Sequence, residues 1–164
     1  MRIKLTFLVS VITIFLMTGC GFKVVNQPGL IDFKIENIST SGDNRVSYII
    51  KNKLLPYSKS NGKKLITLEI DLNRKKMIKE KSIKNETTKF EISISAVVQY
   101  RSNENGRFEI SKKGDYNVAS QYSQTLTNEK KLVKSLSESI AENIIEELIL
   151  RTKSKMRYYL IHRK

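Results

Sequence analysis

Cys20 and His162 are the single cysteine and the single histidine of this 164-residue chain. Held at contact distance they would form a nucleophile, because the imidazole takes the thiol proton and the thiolate attacks. They stand far apart in the sequence, and His162 lies in the basic run Lys153–Lys164, where a solvated surface residue is expected. A general base also needs a partner that positions it, and none is near in sequence. Glu138, Glu142 and Glu146 recur every four residues and could be taken for paired acid–base carboxylates. With Ser and Lys interspersed, that spacing describes the solvated face of a helix. His, Cys and carboxylates never cluster at metal-ligand spacing, and the glycines form no phosphate-cradling loop. No enzyme activity, metal or cofactor is expected.

The conspicuous chemistry is cationic. Arg74, Lys75, Lys76 and Lys79, followed by Lys81 and Lys84, place flexible point charges where several phosphates could be met at once. The same lysines also suit a solvated strand edge, since Lys is a common guard against edge-to-edge pairing. Both readings stay open.

The N-terminus has the order of an export signal. Arg2 and Lys4 give a positive start, Leu5–Met17 is apolar apart from Thr and Ser, and small residues precede Cys20. An apolar stretch of about 13 residues is too short to cross a bilayer, which needs about 20. Leu16-Met17-Thr18-Gly19-Cys20 resembles the bacterial lipobox, with Met17 where that motif usually has Leu. The resemblance implies diacylation of the Cys20 thiol, cleavage after Gly19 and acylation of the new amine. Three acyl chains exceed the two signals that stable membrane attachment requires. Residues 1–19 are therefore read as a cleaved signal, 20–30 as acylated N-terminus and tether, 31–155 as one domain and 156–164 as a basic tail.

Removal of 19 residues leaves a chain of ordinary single-domain size. Arg2 and Lys4 leave with the signal, so 30 basic residues fall to 28 against 16 acidic, about +12. That charge would suit nucleic acid, but an exported, anchored protein does not meet the chromosome. Anionic headgroups, lipopolysaccharide and wall polymers are the polyanions of that compartment. The abundance of Lys, Ile and Asn together also fits drift in an AT-rich genome, which would leave part of the charge without a role.

Alternation and helical spacing supply the scaffold. Phe33–Glu36 suits a short strand, and Ser39–Asp43 reads as a turn whose Asp43 or Asn44 can cap a helix. Val46, Ile49, Ile50 and Leu54 share a helical stripe over about Asn44–Leu55, which Pro56 ends. Ile66, Leu68, Ile70 and Leu72, then Phe90, Ile92, Ile94, Ala96, Val98 and Tyr100, alternate with polar residues, as in an antiparallel sheet covered on one side. Arg74–Lys89 between them is expected as strand ends and a long hairpin tip. Asn105-Gly106 signals a second hairpin. The next strand, Arg107–Gln124, is expected to bulge at Gly114-Asp115. Tyr100, Tyr116 and Tyr122 are expected on the sheet face or its rim. Asn128 caps a final amphipathic helix to about Lys155, with Leu132, Leu136, Ile140, Ile144 and Leu148 on its apolar face. The expectation is an α+β two-layer sandwich, with two amphipathic helices on one face of a four-stranded antiparallel sheet.

Gly19-Cys20-Gly21-Phe22, Ile35–Ile38, Arg45–Leu54, Asp115–Val118, Tyr122-Ser123 and Glu129–Leu132, in this order, resemble the LPS-assembly lipoprotein family (LptE). The Lys-rich hairpin and a tether without Pro or Arg soon after Cys-Gly-Phe depart from the family pattern. The resemblance implies an outer-membrane subunit that plugs an LptD-type β-barrel, helps it assemble and contacts lipopolysaccharide. Gly21 after Cys20 is compatible with outer-membrane sorting. The alternative is a free periplasm-facing lipoprotein that binds lipid or scaffolds the envelope, which would need an apolar cavity between helices and sheet. Arg74, Lys75, Lys76 and Lys79 are the lipopolysaccharide-binding candidates, on charge clustering alone.

Overall fold

The computed structural model describes residues 31–161, with side chains to Thr152. Cys20, the signal, the tether and His162 lie outside the described residues. The elements run β1 (Phe33–Gly42), α1 (Asn44–Leu54), a 3-10 turn (Leu55–Lys59), β2 (Lys64–Lys81), β3 (Thr87–Arg101), β4 (Gly106–Asn117) and α2 (Tyr122–Ile161).

The α+β sandwich of four strands and two helices is as the pattern indicates, with strand order β1-β2-β3-β4. The sheet, however, is mixed. β2, β3 and β4 pair antiparallel, while β1 pairs parallel with β2, Phe33 opposite Lys64 and Gly42 opposite Leu72. The crossover through α1 turns the chain back to the end where β1 began, so the next strand must run in the same direction. Alternation within each strand carries no sign of direction, so the pattern could not reveal this.

One continuous core joins the inner sheet face to both helices. Phe33, Ile35, Ile66, Leu68, Ile70, Ile92, Ile94 and Val98 meet Ile50 and Leu54 of α1 and Ile140, Ile144 and Leu148 of α2, all buried. At roughly 25 cal/mol per Å² of apolar surface, this burial is the main stabilising term.

Local differences from the sequence reading have identifiable causes. β1 continues through Ser39–Gly42, because a bulge at Glu36 resets the alternation and keeps Ser39 and Ser41 paired with Glu69 and Asp71. Gly42 then takes φ +91, and Asp43 caps α1, its Oδ1 accepting from Val46 N at 2.9 Å. Arg74–Lys81 is strand rather than loop, and the hairpin turn is confined to the residues between Lys81 and Thr87. β4 stays in register through Gly114, opposite Ile92, with no bulge there. The glycine serves α2, for a Cβ on it would lie 2.9 Å from Leu132 Cδ1. β4 ends at Asn117, and α2 begins at Tyr122, so Asn128 is inside the helix and donates to Asn117 O at 3.3 Å. Tyr116 is buried and Tyr100 packs against the core, but Tyr122 is an exposed helix residue. The helix also runs past Lys155 to Ile161.

Candidate functional site

β2 outlasts its neighbour. β1 leaves it at Leu72, so among the described residues Asn73–Lys81 pairs only with β3, and no described strand lies on its other edge. Nine residues at about 3.3 Å each make an arm about 30 Å long. The basic tract lies along this edge, the position where Lys guards against strand addition.

The four candidate cations do not form one cluster. Strand alternation sends Arg74 and Lys76 to the helix-covered face and Lys75 to the open face. Three of the four are held in ion pairs. Arg74 Nε lies 2.9 Å from Asp43 Oδ2, so the residue that caps α1 also ties β2 to it. Lys76 Nζ lies 2.6 Å from Glu129 Oε2 of α2 and 4.4 Å from the centroid of the Phe90 ring. Tyr116 stacks on Phe90 and donates its hydroxyl to Glu129 Oε2 at 2.8 Å. Lys79 pairs with Asp115 and lies 4.0 Å from Glu91. Lys75 makes no ion pair among the described residues.

These contacts shift protonation. Burial raises the Glu129 pKa, but hydrogen bonds from Lys76 and Tyr116 and the charges of Lys76 and Arg74 outweigh it, and the result lies below the ordinary carboxylate value. Burial alone would lower Lys76, yet its bonds to Glu129 and Tyr116 carry it upward. Tyr116 is raised, first by burial and then by Glu129. The hydrogen bond to Asp115 raises Lys79.

Two exposed apolar side chains, Met77 and Ile78, occupy the same arm, and a third, Ile83, is fully exposed in the hairpin turn at its tip, between Lys81 and Lys84. The signal for Ile83 was present in the sequence, as one large apolar residue between Ser82 and Lys84. The acidic partners Asp43, Glu91, Asp115 and Glu129 come from other elements, and no local signal marks them.

Among the described residues, no helix covers the outer face of the sheet. Ser39, Ser41, Thr67, Glu69, Asp71, Ser93, Ser95, Gln99 and Ser111 make it largely polar, with Leu65 and Val97 as apolar exceptions. Ser41 donates to Asp71 at 2.8 Å, and Arg101 pairs with Glu69. A shallow cleft of about 270 Å³ between Ser39, Ser41, Glu69, Asp71 and Gln99 opens on this face. No group of three or more His, Cys, Asp or Glu among the described residues could hold a metal, and no described helix is long and apolar enough to cross a membrane.

No known family model and no curated protein matches the chain. Solved structures do match in fold. The chain is similar to lipoprotein B of Nitrosomonas europaea, at 14% identity and TM-score 0.58, over 85% of this chain and 97% of that one. It is similar to rare lipoprotein B of Shewanella oneidensis, at 14% identity and TM-score 0.50, over 77% and 99%. A lipoprotein of Caulobacter crescentus matches at 16% identity and TM-score 0.51, over 79% and 96%. At these identities the likeness is one of fold.

Proposed function

We propose that this chain is an outer-membrane lipoprotein of the lipopolysaccharide-assembly machinery, anchored through acylated Cys20, that plugs a β-barrel partner and contacts lipopolysaccharide. The observation that carries this reading is the largely polar face of the sheet, which no described helix covers, continued by the basic arm. The interior of an outer-membrane barrel is polar, so a plug must present hydrogen-bonding groups on the surfaces that meet the wall. Ser, Thr, Gln and paired charges do so here. The fold shared with three lipoproteins supports the reading, as do the lipobox-like sequence at Cys20 and the family resemblance.

The arm supplies the glycolipid chemistry in this proposal. Lys75, Lys81 and Lys84 would meet phosphates, and Ile83 with Met77 and Ile78 would meet acyl chains. Arg74, Lys76 and Lys79 hold the arm in shape through their ion pairs. The role is non-catalytic.

The alternative, a free lipid-carrying lipoprotein, needs an enclosed apolar cavity. The space between helices and sheet is instead filled by Ile35, Ile50, Ile94, Ile140 and Ile144, all fully buried. The test is detergent extraction of the full-length protein from the cells that make it, followed by crosslinking. Co-purification with a large β-barrel protein is expected, and repeated isolation without one would overturn the proposal.

A further inference from the structure

Among the described residues the sheet has three free strand edges: the outer side of β4, the arm of β2 beyond Leu72, and the outer side of β1. Two of them carry cations of the kind that deter strand addition. β4 has Arg107, Lys112 and Lys113, and the arm has Lys75, Lys79 and Lys81. Asn37–Ser41 of β1 has no charged residue and no proline. Beyond the bulge at Glu36 it returns to regular pairing, with Ile38 opposite Leu68 and Thr40 opposite Ile70.

The hydrogen-bond register decides which groups β1 leaves open. Asp43 N bonds Leu72 O, so Ser41 and Ser39, two and four residues back, also turn their backbone groups to β2. Ile38 and Thr40 therefore aim N–H and C=O away from the sheet, and no other described strand meets them. Near Phe33 the same edge is closed. Ser60 Oγ donates to Phe33 O, and a Cβ on Gly62 would lie 2.2 Å from the Phe33 backbone.

Beside the open stretch, a groove of about 420 Å³ runs between Glu36 and Ile38 of β1 and Tyr48, Lys51, Asn52 and Leu55 of the helical segment. Arg45, Tyr48, Asn52 and Leu55 recur at helical spacing. They form a second stripe beside Val46, Ile50 and Leu54, which enter the core. Tyr48 and Leu55 are 69% and 52% exposed, so this stripe offers apolar surface outside the core. α1 carries Arg45, Lys51 and Lys53 and no Asp or Glu. None of the three makes an ion pair among the described residues. The cations thus stand on the helical wall of the groove, and Glu36 stands at the bulge on the strand wall.

We infer that β1 and α1 form a docking groove for an extended, acidic segment of a partner protein, which adds to the free edge of β1 as a further strand. Ile38 and Thr40 supply main-chain hydrogen bonds, Ile38, Tyr48 and Leu55 take an apolar side chain, and Arg45 and Lys51 meet Asp or Glu. A second copy of this chain fits poorly, since both copies would bring Arg45 and Lys51 to one seam. The inference stands apart from the proposed function, because strand addition draws on β1 and α1 alone.

The chain from Gly21 onward, which contains the whole described fold, is used to select from a phage-displayed library of random peptides. Enrichment of sequences that alternate apolar residues with Asp or Glu is expected. With a selected peptide in fluorescently labelled form, Lys51→Glu should weaken binding roughly tenfold, through a lost ion pair and a new repulsion. Tyr48→Ala should weaken it about tenfold, through lost apolar contact. Thr40→Pro removes an N–H that the sheet does not use, a change that an edge strand tolerates. It should also weaken binding about tenfold, by deleting one main-chain bond and placing a ring in the path of the added strand. Lys51→Glu and Tyr48→Ala alter exposed side chains, so the test stands even if Thr40→Pro does not fold. Lys75→Gln with Lys84→Gln, on the β2 arm, should leave binding unchanged. In hydrogen exchange the peptide should newly protect the amides of Ile38 and Thr40, whereas those of Ser39 and Ser41 are already bonded to β2. Selection without enrichment of acidic sequences, undiminished binding in Lys51→Glu or Tyr48→Ala, or new protection on Asn73–Lys81 instead of β1 would each overturn the inference. Barrel co-purification is a separate readout, so the two proposals fail independently.

Discussion

Lys76 Nζ and the Tyr116 hydroxyl meet on the same oxygen, Glu129 Oε2, at 2.6 and 2.8 Å. Three elements thus converge on one carboxylate: the arm of β2, the end of β4 and the second turn of α2. Glu129→Gln keeps the shape and removes the charge, and about 1 kcal/mol of stability should be lost. Urea unfolding measures it, and an unchanged midpoint would mean that the arm is held by packing alone.

The same cluster sets the pH response. The folded-state pKa of Glu129 is depressed, so its contribution is present above the ordinary carboxylate value of 4.5 and fades as the pH falls below it. Lys76 and Tyr116 are raised in the fold, so their contributions are complete below 10.5 and 10.0 and fade as the pH climbs past those values. Thermal midpoints measured across pH should fall at both ends. In Glu129→Gln the acid limb should be shallower than in the parent.

Asp43 divides its two oxygens between the α1 cap and Arg74. Asp43→Ala should cost about 1–2 kcal/mol, most of it from the lost cap. A double-mutant cycle with Arg74→Gln isolates the ion pair, whose coupling should be below about 1 kcal/mol because both groups keep contact with water.

Two glycines should respond very differently to alanine. At Gly42 the backbone is left-handed and a Cβ would collide with the Leu72 carbonyl. Gly42→Ala should therefore cost about 3 kcal/mol or more. At Gly114 the obstacle is the methyl end of Leu132, which can rotate away. A cost of about 1 kcal/mol is expected there. Calorimetry on the two variants distinguishes them by the size of the drop in Tm.

Cations of the arm should separate by role. Lys75→Gln with Lys84→Gln should weaken binding to lipopolysaccharide aggregates without moving Tm. Lys76→Gln should lower Tm, because its partners Glu129 and Tyr116 are left behind. If the first pair leaves lipopolysaccharide binding intact, the arm is not the contact site.

The buried face of each central strand was legible in the sequence. Ile66, Leu68, Ile70 and Leu72, and Ile92, Ile94, Ala96 and Val98, face inward at the period of two that strand geometry imposes. The inward stripe of α2 was legible for the same reason at 3.6 residues. Boundaries were less so, because Tyr116, Val118, Ser120 and Tyr122 keep alternating in sequence although β4 ends at Asn117, with one further backbone bond from Val118 N to Thr88 O. The lysines were visible as a run, but their grouping was not, since alternation splits adjacent residues between two faces.

Sequence by itself determined which residues turn inward and where Asp43 and Pro56 bound the first helix. These follow from local geometry and residue inventory, which a linear pattern records. Only the tertiary structure decided that β1 runs parallel to β2, that Glu36 bulges, and that Arg74, Lys76 and Lys79 are already partnered by Asp43, Glu129 and Asp115. Strand direction and ion pairing depend on residues some 30 to 50 positions apart. Only the closing of the sheet beneath its helices brings them together.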